Sequence, residues 1–331
     1  MTLAQLWYQK NWLSKLLLPF SGIFCSVVQL RHFAYQRAWL RSYRSPIPVI
    51  VVGNLTVGGT GKTPLVIWLA HELTQRGWKV GIISRGYGGT RQRHEIQRVY
   101  PDSSVQSVGD EAILLARTGC PVVVAAQRRL ALQYLLAHES CDVILSDDGL
   151  QHYALQRDIE IAVIDGQRGL GNGYCLPAGP LRELPSRLHQ VDFIVSKTIR
   201  WKNSIVMQYT SSQLHAVTTA TTQDPLPPLS LQHFMGQTVH AIAGIGHPEA
   251  FFTMLEQQGI QLIRHSFPDH HSYRQQEIVF PDALPVIMTE KDAVKCTSIA
   301  DHRHWYLAIT AQLPQNFGEK VVQRLQEIKY G

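Results

Sequence analysis

The sequence predicts an α/β protein: a mostly parallel sheet with helices on both faces, a smaller second α/β lobe, and a helical segment at the N-terminus. Three observations carry that prediction. A β-branched run, Val49 to Val52, leads through a glycine-rich turn into an apolar helix opening at Lys62-Thr63-Pro64. Apolar runs and helical stretches then alternate as far as Ser196, with acidic or polar residues after the carboxyl ends of the runs, the order of a parallel sheet. After a Thr-, Pro- and Leu-rich stretch, TTATTQDPLPPLSL, a second alternating set begins.

Composition agrees with such a core. The 331 residues are 45% hydrophobic and 17% charged, enough for two lobes and too apolar for a disordered chain. Five scattered cysteines, never spaced C-x-x-C, suit neither a zinc site nor a disulfide framework.

The elements follow in order. The first strand at Val49 is followed by a helix over about 62–76. Lys79 to Ser84 reads as a strand ending in Arg85-Gly86-Tyr87-Gly88-Gly89. Gly109-Asp110-Glu111 opens a helix with acids in its first turn, where the dipole favours them. Pro121 to Ala125 is a strand, Gln127 to His138 a helix, and Val143 to Ser146 a strand that runs into Asp147-Asp148-Gly149-Leu150-Gln151-His152. Ile159 to Asp165 and Val191 to Ser196 complete the first set. The second has strands at Val239 to Ala243, near Gln261 to His265 and at Val286 to Thr289. Its helices are Glu249 to Gln258 and about 315–328. The expected units are 1–44 (helical, basic and aromatic), 45–217 (the main sheet), 218–237 (a linker or hinge) and 238–331 (the second lobe).

The strand–loop–helix at 49–76 is the setting that makes a phosphate-binding loop credible. Gly58, Gly59 and Gly61 let backbone N–H groups turn inward, and the helix N-terminus adds its positive end. Lys62 would reach β- and γ-phosphates, the Thr63 hydroxyl would take a Mg²⁺ position, and Pro64 needs no N–H in a first turn. The loop is a GGTGKT variant, with Thr56 where the usual spacing has a glycine and Thr60 between the last two glycines. The fold class is therefore P-loop NTPase-like. An apolar strand ending in Asp147-Asp148 supplies the acidic partner, with either carboxylate able to hold Mg²⁺ opposite Thr63. Asp110 is a candidate general base for a phosphoryl acceptor, although an acid in a first helical turn also serves as a cap. Asp269-His270-His271, and Arg182-Glu183 in PAGPLRE, are ambiguous by themselves.

Read together, VGNLTVGGTGKTP, SRGYGG, SVGDE, DDGLQH, IDGQRGLGNGYCLPAGPLRE, AGIGHPEAFF, FPDHH and MTEKDAVK occur in an order that resembles the tetraacyldisaccharide 4′-kinases of lipid A biosynthesis. The resemblance runs from the N-terminal segment to about residue 296, and GGTGKTP with Thr56 is that family's own loop. It implies an ATP- and Mg²⁺-dependent kinase acting on the 4′-hydroxyl of a tetraacylated glucosamine disaccharide 1-phosphate. The implied place is the cytoplasmic face of the bacterial inner membrane, as a peripheral protein. By matching motif, Asp110 is the implied base and His270 the residue that orients it. Lys62 and Thr63 keep their loop roles, and Asp147 and Asp148 match the metal-associated pair. Arg182 and Glu183 match residues near nucleotide or metal, and Arg128, with Arg129 adjacent, matches a basic residue near the phosphates.

The front of the chain fits such a substrate. Residues 1–71 hold seven Lys or Arg and no Asp or Glu, and six of the seven lie within residues 1–44 among Trp7, Tyr8, Trp12, Phe20, Phe24, Phe33, Tyr35, Trp39 and Tyr43. The uncharged window Leu16 to Leu30 is too short to span a bilayer and is interrupted by Pro19 and Gly22. A signal peptide would export an ATP-using protein to a compartment without ATP. An interfacial anchor on an anionic leaflet is the expectation, with a pair of ordinary helices and a solvated basic face as the alternative. No nucleic-acid recognition module accompanies the charge, so nucleic acid is not an expected partner.

Two rivals remain in view. A nucleotide-hydrolysing switch would need no base outside the metal site and would carry an N-K-x-D guanine signature, which Thr289-Glu290-Lys291-Asp292 imitates only loosely. A nucleotide-binding membrane scaffold would need neither Asp110 nor His270.

Overall fold

The computed structural model describes residues 7–9, 11–87, 89, 95–211, 213–217 and 227–330. Lys10, Gly88 and residues 218–226 of the expected linker lie outside them. The strands, in chain order, are β1 (Val49–Gly53), β2 (Val80–Ser84), β3 (Ile96–Val99), β4 (Val122–Ala125), β5 (Val143–Asp147), β6 (Ile159–Asp165), β7 (Phe193–Lys197), β8 (Ile205–Thr210), β9 (Gln213–Ala216), β10 (Leu229–Ser230), β11 (Thr238–Ala243), β12 (Gln261–Ser266), β13 (Val286–Thr289), β14 (His304–Leu307) and β15 (Thr310–Gln312).

Among the described residues they form a nine-stranded sheet, β15-β8-β7-β6-β1-β5-β2-β4-β3, and a six-stranded sheet, β10-β9-β14-β13-β11-β12. The large sheet is parallel from β8 to β4, with β15 and β3 antiparallel at its edges. Its inner strands are apolar on both faces, as two covered faces require: β1, β2, β4 and β5 are buried at every residue. One covering helix, Lys62–Gln75, buries Thr63, Leu65, Val66, Leu69, Ala70 and Leu73, a stripe at helical spacing.

The expected boundaries at 217 and 238 do not match sheet membership. β9 hydrogen-bonds into the six-stranded sheet, whereas β15 returns to the nine-stranded one. The last helix, Gln315–Tyr330, follows β15 and buries Phe317, Val321 and Leu325 in the core of the large sheet, with Phe317 stacked on Trp68 at 5.6 Å. The chain thus passes between the sheets at two adjacent places. β8 pairs with β15 on one side, β9 pairs with β14 on the other, and Ala308 N donates to Gln213 O between them at 3.3 Å.

At the N-terminus, helix Trp12–Leu16 leads into helix Leu18–Gln36, which lies on the large sheet's second core cluster through Phe24 and Cys25. The buried Ser21 hydroxyl donates to Cys175 O at 2.7 Å and accepts from Ala178 N at 2.9 Å. The same helices also expose apolar side chains beside the exposed Lys15 and Arg31: Trp12, Leu16, Phe20, Ile23, Val27 and Leu30 are 60–70% exposed. No helix among the described residues is long and apolar enough to cross a membrane.

Candidate active site

The carboxyl ends of β1 and β5 lie side by side, with Val52 paired to Asp147, so the glycine loop and the acidic pair meet at one edge of the sheet. The loop turns into its helix at Gly61, whose φ of 91° suits only glycine and whose missing side chain leaves room for the Tyr209 hydroxyl. Asn54, fully buried just after β1, braces the loop: its Nδ2 donates to Thr60 Oγ1 at 3.0 Å and to Gly58 O at 3.3 Å. Thr56 pairs with Leu181, Val57 N donates to Pro180 O at 2.8 Å and Arg182 N to Leu55 O at 2.7 Å. PAGPLRE is therefore a second wall of the loop. Thr63 is buried, and Pro64 sits in the first turn beside it.

Around the acidic pair, Lys62 Nζ stands 3.6 Å from Asp148 Oδ1, and Arg182 Nη1 donates to both Asp148 oxygens at 3.0 and 3.1 Å. Burial alone would raise the Asp148 pKa, but Lys62 and Arg182 more than reverse this and hold it below the ordinary carboxylate range. Gln151 links the parts, accepting from Arg182 at 3.4 Å and donating to Asn54 O at 3.0 Å. Arg128 is buried and its Nη2 donates to Asp147 O and Asp148 O at 2.9 Å each, while Arg129 lies over the Tyr43 ring. Of the two adjacent arginines, Arg128 is the one turned toward the acidic pair.

Asp147 differs from its neighbour. It is buried, its Oδ2 accepts weakly from Ser84 Oγ at 3.4 Å, and its Oδ1 has no hydrogen-bond partner. Burial, with the Glu111 charge adding to it, pushes its pKa up to about 7. A buried, unpartnered carboxylate oxygen at the end of the strand next to the glycine loop's own strand fits a hard divalent cation. Mg²⁺ is usually held by one or two protein oxygens plus phosphates and water, so Thr63, Asp147 and Asp148 are a sufficient set.

Asp110 opens the helix Asp110–Ala116 and is buried. Its Oδ1 accepts from Glu111 N at 2.9 Å, the capping role, and its Oδ2 meets His270 Nδ1 at 3.0 Å. His270 comes from the other sheet's side, on a loop where its φ is 60° and its ring packs edge-on against Tyr87 at 5.1 Å. Burial alone would raise the Asp110 pKa; the His270 hydrogen bond and the Lys291 charge turn it downward, and the Asp110 bond in turn raises His270. Gly246 lies between this loop and the glycines: a Cβ on it would stand 3.6 Å from Asp269 Oδ2 and 3.8 Å from Gly59 N.

The sequence-predicted residues thus fall into two adjoining groups. Thr56 to Pro64, Arg128, Asp147, Asp148 and Arg182 surround the loop, and Asp110 and His270 form a pair across the two sheets. Glu183 stands apart. Its Oε2 accepts from Tyr153 Oη at 2.7 Å and lies 3.4 Å from Arg187 Nε, so its side chain serves the seat of the N-terminal helix, whose His32 stacks on Tyr153 at 4.4 Å. Three participants were not singled out from sequence: Asn54, Gln151 and Lys291. Asn54 directly follows β1 and Gln151 comes three residues after Asp148, which is the available signal; Lys291 gives none beyond its motif.

Comparison with known proteins agrees with this geometry. The family model for tetraacyldisaccharide-1-P 4′-kinase matches residues 13–326. The tetraacyldisaccharide 4′-kinase of Nitrosococcus oceani is 48% identical over 97% of this chain and 93% of its own length. That of Pasteurella multocida is 49% identical over 96% and 95%. The crystal structure of "apo"-form LpxK from Aquifex aeolicus in complex with ATP superposes with a TM-score of 0.77 at 27% identity, covering 95% of this chain and 99% of that one. Matched by the family model over nearly its whole length, the chain belongs to the tetraacyldisaccharide-1-P 4′-kinase family.

Proposed function

We propose that this chain transfers the γ-phosphate of ATP to the 4′-hydroxyl of a tetraacylated glucosamine disaccharide 1-phosphate at a membrane surface. The observation that carries the reading is the 3.0 Å contact of Asp110 with His270 between the two sheets, on a chain that also holds the glycine loop and the acidic pair. A switch or scaffold has no use for a buried carboxylate held by a partly exposed imidazole; a kinase with an alcohol acceptor does.

In this reading the backbone of Gly58 to Gly61 and Lys62 cradle the β- and γ-phosphates, with Arg128 and Arg182 holding the acidic loop in place. Thr63, Asp147 and Asp148 would hold Mg²⁺, which when bound neutralises charge on the β- and γ-phosphate oxygens. Asp110 accepts the proton of the 4′-hydroxyl as its oxygen attacks the γ-phosphorus, and the bond to the β-bridging oxygen of ADP breaks. His270 orients Asp110 and offsets its charge. The exposed apolar stripe from Trp12 to Leu30 would lie in the headgroup zone, so the acyl chains remain in the bilayer while the sugar reaches the loop.

The test is transfer of labelled γ-phosphate from ATP to tetraacyldisaccharide 1-phosphate in detergent micelles with Mg²⁺. Asp110→Asn is expected to lower kcat by roughly 10²–10⁴-fold with ATP binding nearly intact. Near-normal turnover in that variant removes Asp110 as the base. Phosphate release to water regardless of lipid removes the kinase reading.

A further inference from the structure

The Thr289-Glu290-Lys291-Asp292 run, a poor guanine signature, sits at the seam between the two sheets. It begins the helix Glu290–Cys296 directly after β13. Thr289 caps that helix, and its Oγ1 donates to Asp292 Oδ2 at 2.6 Å. Asp292, fully buried, also accepts from Gly244 N at 2.9 Å and pairs with Lys295 at 2.7 Å. Those bonds fix the first turn of the helix to the second sheet. Its other two residues point across the seam. Glu290 meets Arg117 at 3.3 Å, and Lys291 Nζ lies 3.2 Å from Glu111, 3.2 Å from Asp269 and 3.9 Å from Asp110.

We propose that Lys291 is a positioning residue of the transfer reaction: its ammonium ties the Asp110-Glu111 turn to the Asp269-His270 loop and so holds Asp110 against His270. The inference rests on Asp110 being the base. The Lys291 side chain is 19% exposed, so its ion pairs are less screened than surface ones. The charged groups facing Asp110 are Glu111 on its own helix, Asp269 and His270 on the loop, and Lys291 and Lys295 on the packed helix, with the Tyr87 ring beyond His270. Lys295 is engaged by Asp292, and Glu290 by Arg117. Without Lys291, three carboxylates would converge with His270 as the nearest opposing charge. The seam would loosen, and a proton would enter the Asp110–His270 pair at higher pH.

The test compares kcat against pH for wild type, Lys291→Gln, Lys291→Met and Lys291→Arg in the micelle assay. Met keeps the length and apolar packing of the stem, so it serves where Gln is unstable. Removing the charge is expected to move the acid limb upward by about one pH unit, a loss of about tenfold on the acid side that shrinks toward alkaline pH. Arg should keep the limb where it is. A uniform loss at every pH, or an Arg variant as impaired as Met, overturns the proposal and leaves Lys291 a spacer. Failure of the base assignment itself would show separately, as full turnover in Asp110→Asn with Lys291 intact.

Discussion

Asp147→Asn should make the protein more stable and less active, and the stability gain should grow with pH. The Asp147 pKa rises from an ordinary 3.8 to about 7 because the carboxylate is buried with one oxygen unpartnered. A carboxyl whose native pKa exceeds its unfolded one destabilises the fold as pH climbs from the unfolded value to the native one; above that the cost is constant. At about 1.4 kcal/mol per pH unit, the cost is on the order of a few kcal/mol once pH exceeds the native value, at pH about 8, and smaller near pH about 5. The Asn variant escapes this cost. Urea unfolding at the two pH values, without nucleotide or divalent ion, measures the difference. Adding Mg²⁺ and ATP should then stabilise wild type more than the variant, since the cation answers the charge that burial penalises. A variant no more stable than wild type at high pH, or stabilised equally at both, refutes the account of Asp147 as a carboxylate kept for a cation.

Two further outcomes test the loop and the front of the chain. Asn54→Ala removes the side-chain bonds to Gly58 O and Thr60 Oγ1, so the KM for ATP should rise roughly tenfold with a smaller effect on the lipid KM; an unchanged ATP KM would show that the loop holds its shape unaided. Ile23→Gln, Val27→Gln and Leu30→Gln together should weaken binding to anionic vesicles about a hundredfold while leaving thermal stability near wild type, because all three side chains are exposed. Undiminished flotation would sink the membrane role of the stripe.

Much of the large sheet could be read from sequence because its strands are short apolar runs bounded by glycine or acid, and the loop declares itself locally through GGTGKT. The edges could not. β9 and β15 are short and bury one residue each, so nothing in them specifies which sheet they join. Asp110 reads equally as a cap or a candidate base for a physical reason: one oxygen accepts from Glu111 N while the other meets His270. Lys291 lies 180 residues from Glu111, and only the packing of two helices brings their charges together. Glu183 shows the reverse limit, since its backbone neighbour Arg182 reaches the acidic pair while its own side chain turns to Tyr153. Adjacent residues on an irregular segment can serve different neighbourhoods, and a motif does not say which.

The paired crossing of β8–β9 and β14–β15 bears on all of this from a distance. Two chain segments run side by side between the sheets and are bonded to each other at Gln213 and Ala308. A paired crossing leaves one sheet fewer ways to sit against the other than a single tether would. The 3.0 Å approach of His270 to Asp110 depends on that placement, although neither residue lies in the crossing.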